Sequence, residues 1–188
     1  TNWLVSRGVA TSEFACKTGG DLIDHDSGFV DEELFDMNPA NQVSFSTTGA
    51  VNGSPNRGEH VLFTIDKQTA GISTNFVAIL NHNMSTAQGK FRVAASASDI
   101  TAADPTAVAC TEVINATDSS NIFTPANDGD SIVKFVSAST LRYIAVQIEG
   151  SNSNNFNGST PLRMACILIG GYYDMPLAPD LAVTRAVS

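Results

Sequence analysis

The chain has 188 residues, 43% of them hydrophobic, with ten Lys plus Arg against nineteen Asp plus Glu and a net charge of −9. That length fits one domain with a sizeable core. The ten cations stand singly, without the clusters that neutralise phosphates, which excludes nucleic acid or an anionic membrane as partner. Only 15% of residues are charged, so the surface is dressed in Ser, Thr, Asn and Gly, and no apolar run reaches the length of a transmembrane helix.

Residues 1–30 read as an irregular N-terminal segment, broken by Gly8, Gly19, Gly20 and Gly28. Asp21, Asp24, Asp26, Asp31, Glu32, Glu33 and Asp36 crowd residues 21–36 with no Lys or Arg among them. Asp24-His25-Asp26-Ser27-Gly28 matches the first half of a calcium loop, with oxygen ligands at alternate positions and a Gly for the turn. The second half lacks its bidentate Glu at the required spacing, so the stretch reads as a solvated acidic loop without a metal. Asp31 to Asp36 is one helical turn with its acids at the N-terminal end.

The sheet signal begins at Val43-Ser44-Phe45-Ser46. After a turn-rich segment with Gly53, Pro55 and Gly58, His60 to Asp66 alternates, with Val61, Phe63 and Ile65 on one face and Thr64 and Asp66 on the other. Phe76 to Leu80 is a short apolar strand. Gly89 to Ser96 alternates again, with Phe91, Val93 and Ala95 inward. Val108 to Ile114 and Ile132 to Val136 are further strands. Residues 141–149 and 164–170 carry short apolar runs with both faces covered, so they belong at the centre of sheets. About eight strands and almost no helix make residues 31–171 an all-β antiparallel sandwich. Asp174-Met175-Pro176-Leu177-Ala178-Pro179-Asp180-Leu181 is extended, because proline lacks an amide donor and biases its predecessor away from helix. Residues 172–188 therefore read as a C-terminal arm, with Tyr172, Tyr173, Pro176, Pro179 and Leu181 as its assembly contacts.

Cys110 and Cys166 sit in apolar strand patterns, and with Cys16 they make an odd number, too few for a disulfide scaffold. They read as free thiols of a protein assembled in a reducing compartment. His25, His60 and His82 lack the short-spaced Cys or His neighbours that zinc requires. No Gly-x-Ser-x-Gly elbow occurs, which speaks against a hydrolase. Asn81-His82-Asn83 ends a buried strand. It is either a polar recognition loop or a turn whose side chains bond its own backbone groups, and the second reading is favoured.

Leu34-Phe35-Asp36-Met37-Asn38-Pro39, Val43 to Ser46, Val61 to Asp66, Arg142-Tyr143-Ile144 and Ile167 to Gly170 stand in the order of a discoidin-like, galactose-binding-like jelly roll. The chain resembles that family over roughly residues 30–171. It departs where the family carries Trp in the early strand, since Trp3 is the single Trp here. The resemblance implies a place for calcium near the Asp36 turn and adds Asp36 to Asp24 and Asp26 as candidate ligands. A narrower likeness rests on Val77 to Asn83 and on Gly170 to Leu181, which look like tail-associated structural proteins of marine bacteriophages. It implies a non-enzymatic virion protein, assembled in a bacterial cytoplasm against copies of itself and other virion proteins, with no cofactor. The alternative is a carbohydrate-binding module of a phage adhesion device, although one Trp and three Tyr offer few aromatics for sugar stacking.

Overall fold

The computed structural model describes residues 3–6, 14–17, 22–47, 60–68, 73–100, 111–112, 122–150, 156 and 160–173. Among these, regular structure is nearly all strand. In chain order they are β1 (Trp3–Ser6), β2 (Phe14–Lys17), β3 (Val43–Phe45), β4 (His60–Asp66), β5 (Thr74–His82), β6 (Gly89–Ser96), β7 (Thr111–Glu112), β8 (Gly129–Ser139), β9 (Tyr143–Gly150), β10 (Leu162–Met164) and β11 (Cys166–Tyr173). A 3-10 turn at Asp31–Phe35 and a one-turn helix, α1 (Met84–Ala87), are the helical pieces. α1 stops where Gln88 turns left-handed at φ 55° and its amide meets the carbonyls of Met84 and Ser85.

One sheet has the order β1-β11-β5-β8, the other β2-β4-β9-β6-β7, and β3 pairs with β10 in a two-stranded ribbon. Each of these strand pairings is antiparallel. β11 and β9 lie inside their sheets, as two-sided apolar runs require. Between the sheets Val61, Phe63 and Ile65 of β4 meet Val146 and Ile148 of β9, Phe91 and Val93 of β6, and Ile79 and Ile167 from the facing sheet. Phe63, Ile79, Val93, Val146 and Ile167 are all buried. The architecture is an antiparallel β-sandwich.

Three departures from the sequence reading have physical causes. Residues 1–30 contain two strands: β1 pairs with the end of β11, and β2 pairs with β4. Both are four residues long, shorter than a periodicity can register. Tyr172 and Tyr173 are not arm residues, because they are the last two of β11 and pair with Leu4 and Trp3. β4 is buried on both faces, since Leu62 packs with Leu22, Ala94, Ile100 and Ala145 in a second cluster on the outer side of its sheet. Cys166 is buried, as its strand pattern implies. Cys110, Pro176, Pro179 and Leu181 lie outside the described residues, as does most of Val108 to Ile114.

Candidate functional site

On the outer side of the five-stranded sheet lies a groove of about 180 Å³, lined by Phe14, Ala15, Lys17, Thr64, Asp66, Asp99 and Tyr143. Strand pairing builds it. Ala15 stands opposite Thr64, Thr64 opposite Ala145, and Asp66 opposite Tyr143. The two-residue period puts Thr64 and Asp66 on one face. Phe14 belongs at the groove's edge, its ring 4.0 Å from Phe35 and 5.7 Å from Phe63.

Two ion pairs frame the groove. Arg142 donates from Nε to Asp66 Oδ1 and from Nη2 to Asp66 Oδ2, both at 2.7 Å, and its guanidinium sits 5.0 Å from the centroid of the Tyr143 ring. Lys17 Nζ is 3.1 Å from Asp99 Oδ2. The Arg142 bonds, helped by the amide of Gln68 at 2.8 Å, hold the Asp66 carboxyl below the usual carboxylate range. The turn carrying Arg142 is held from below by Lys67, whose amide donates to Arg142 O at 3.0 Å. Lys67 is 1% exposed, and its Nζ lies 3.3 Å from both Thr74 Oγ1 and Ser139 O. Burial lowers its pKa. The result is an aromatic ring, a carboxylate with a fixed guanidinium, an ammonium–carboxylate pair and a hydroxyl around one concavity. Such a set offers donors, acceptors and an apolar face at once. In the sequence Arg142-Tyr143 stands only as part of a strand pattern. Asp66 and Arg142 are 76 residues apart, and no linear spacing announces their pairing.

The Asn81-His82-Asn83 segment closes the opposite end of β5. Between Ile79 and His82 β5 carries one residue more than β8. Asn81 absorbs this bulge at φ 49°, a conformation Asn tolerates. Its amide donates to Asp130 Oδ1 and its Nδ2 to Pro39 O, at 2.8 and 2.7 Å. Asn83 Nδ2 donates to Pro161 O, and Asn83 Oδ1 accepts from the Arg163 amide. His82 is buried and cannot meet a ligand at the surface. The Asn81 and Asn83 side chains stitch distant segments together, whereas His82 Nδ1 accepts from the Met84 amide in its own turn.

His82 and Ser131 come within 2.7 Å, and Asp128 and Asp130 add their charges nearby. The arrangement looks like a nucleophile–base pair, but the tautomer is wrong for one. The Met84 amide donates to His82 Nδ1 at 3.2 Å, so the neutral ring carries its proton on Nε2 and donates to Ser131 Oγ. A ring nitrogen that donates to a serine cannot take its proton. Burial also lowers the His82 pKa.

The three candidate calcium ligands are not brought together. Asp26 ties β3: its Oδ2 accepts from Ser44 Oγ at 2.5 Å and Ser46 Oγ at 2.9 Å, and its Oδ1 from the Ser46 amide at 3.0 Å. Asp36 accepts from the Asn38 amide and from Asn41 Nδ2, at 2.6 and 2.7 Å. Asp24 instead falls beside Cys16 and Asp31, with one donor atom from each within 4.8 Å of the others. Burial, then the charges of Asp31 and Asp24, push the Cys16 thiol far above its ordinary value.

No family model matches the chain, and no curated protein matches it in sequence. Solved structures do match in fold. The CBM32 of AlyQ in complex with 4,5-unsaturated mannuronic acid is 20% identical, over 86% of this chain and 95% of that one, with a TM-score of 0.50. CBM32-1 from a family 31 glycoside hydrolase of Clostridium perfringens is 14% identical over 88% and 99%, at 0.52. Chitosan-binding module 2 of a Paenibacillus sp. IK-5 chitosanase/glucanase, in complex with chitotriose, is 12% identical over 88% and 98%, at 0.51. At these identities the likeness is one of fold, and the sandwich is a jelly roll like those of these modules. The phage resemblance finds no counterpart among these neighbours, which are carbohydrate-binding modules.

Proposed function

We propose that this protein is a non-catalytic carbohydrate-binding module that receives a sugar in the groove beside Tyr143. The observation that carries the reading is the groove's composition: an aromatic ring next to a bidentate Asp66–Arg142 pair, with Lys17, Asp99 and Thr64 completing the rim. A pyranose stacks its C–H face on an aromatic ring and shares its hydroxyls between a carboxylate and a guanidinium. The fold supports the same reading, since its neighbours are modules whose complexes hold an unsaturated mannuronic acid and chitotriose. The reading keeps the carbohydrate-binding half of the sequence-based alternative. Nothing in the comparisons supports the virion location or virion partners.

Both cations of the groove are paired with carboxylates, so the site carries little net charge and suits neutral sugars. A glycan array probed with the full chain, followed by titration calorimetry on the hits, tests the function. Tyr143→Ala and Asp66→Asn are expected to weaken a hit at least about tenfold while the fold is retained. Absence of binding to any glycan at millimolar concentration, or a hit indifferent to both variants, would overturn the assignment.

A further inference from the structure

The groove leaves the cluster on the other side of β2 unexplained. Cys16 comes from β2, Asp24 from the loop after the Leu22–His60 bridge, and Asp31 from the first position of the 3-10 turn. One donor atom from each lies within 4.8 Å of the other two. Tetrahedral zinc with bonds of about 2.0–2.3 Å needs ligand separations of roughly 3.3–3.8 Å, so closure asks for a shift of about one ångström. Asp31 Oδ1 is shut off from solvent and meets no hydrogen-bond donor. A buried carboxylate oxygen without a donor is unfavourable unless something positive reaches it. In residues 21–36, which hold no Lys or Arg, His25 is the one side chain that can bring it positive charge.

His25 stands beside Asp24, outside this group of three. His25 Nδ1 lies 3.1 Å from Asp26 O, which can only accept, so Nδ1 carries the proton. The lone pair is left on Nε2, 3.8 Å from Asp24 Oδ1. A backbone carbonyl that orients an imidazole in this way is the usual support of a metal-binding histidine. The elements are also tied together independently of any ion, by the Phe14–Phe35 ring contact between β2 and the 3-10 turn.

We propose that Cys16, Asp24 and Asp31 form a structural site for a zinc-class divalent cation, its fourth position completed by water or, after a side-chain movement, by His25 Nε2. A thiolate among the ligands selects against calcium and magnesium, which take oxygen sets. This cation would pin β2 and the 3-10 turn to each other on the far side of β2 from Lys17, and it takes no part in sugar binding.

The full chain, freed of metal with a chelator, is melted alone, with zinc and with calcium. Cobalt is added separately and its near-ultraviolet thiolate charge-transfer band recorded. Zinc is expected to raise the melting temperature by several degrees, by mass action on the native state, and calcium to leave it unchanged. Cobalt is expected to give the band in the natural chain and to lose it in Cys16→Ser, which keeps Cys110 and Cys166. Asp24→Ala, at an exposed position, is expected to fold normally and to weaken zinc binding at least tenfold. No zinc shift and no band, or a band that survives Cys16→Ser, overturns the site. Should Cys16→Ser fail to fold, undiminished zinc affinity in Asp24→Ala does the same.

Discussion

Arg142 and Asp66 meet end to end, two parallel 2.7 Å hydrogen bonds joining the turn before β9 to the last residue of β4. This contact fixes where the Arg142 guanidinium lies over Tyr143 and which carboxylate edge faces the groove. Lysine cannot reproduce it, because an ammonium is a point donor and not a planar fork. Arg142→Lys is expected to change the melting temperature little, since the pair is partly exposed, yet to lower sugar affinity about tenfold in calorimetry. Unchanged affinity would remove this pair from the site.

Lys67 acts beneath the groove. Lys67→Ala removes a buried side chain and the donor shared by Thr74 and Ser139. We expect a stability loss of about 2–4 kcal/mol in urea denaturation and weaker sugar binding through a loosened turn. Lys67→Met keeps the volume and is expected to recover most of the stability.

His82 makes stability depend on pH in a definite direction. Burial holds its folded pKa below the unfolded value of about 6.5. The unfolded chain therefore binds the extra proton first, and stability falls as pH drops below roughly 7. The lowered carboxyls of Asp66 and Asp128 act in the same sense, but only below about pH 4. His25, whose pKa its bond to Asp26 raises, pulls the other way. The His82 contribution is thus the difference between the natural chain and His82→Gln, which is expected to melt lower at pH 7.5 and to vary less from pH 7 to 5. Parallel curves would show that His82 does not titrate in this window.

Asp26 holds β3 through three hydrogen bonds to Ser44 and Ser46. Asp26→Ala leaves Ser44 Oγ, Ser46 Oγ and the Ser46 amide without their acceptor, and a loss of about 1–3 kcal/mol is expected by urea titration. Calcium is expected to leave the melting temperature of the natural chain unchanged. A calcium-dependent rise, lost in this variant, would restore Asp26 as a ligand.

The C-terminal boundary can be tested by two truncations. Removing 172–188 takes away the partners of Trp3 and Leu4 and is expected to lower the melting temperature. Removing 174–188 spares every described pairing and is expected to leave it unchanged. If the two truncations melt alike, the pairing of β1 with β11 contributes nothing to stability.

The sequence by itself determined the class of fold and most of the core. Alternation over six or more residues, as in His60 to Asp66 and Gly89 to Ser96, reports a strand because a pleated chain puts every second side chain on the same face. Two-sided apolar runs, as in Ile144 to Ile148, report a central one. Short elements carried no such signal. β1, β2 and β10 span four, four and three residues, and they are strands because a neighbour offers an open edge. Only the tertiary structure brought the residues of the two proposed sites together. Asp66 with Arg142, and Cys16 with Asp24 and Asp31, are set by which strands pair and in what register, and a register is a property of two segments together. The same holds for His82: its histidine ends a readable strand, but its burial and its tautomer are imposed by Ser131 across the sheet and by the Met84 amide.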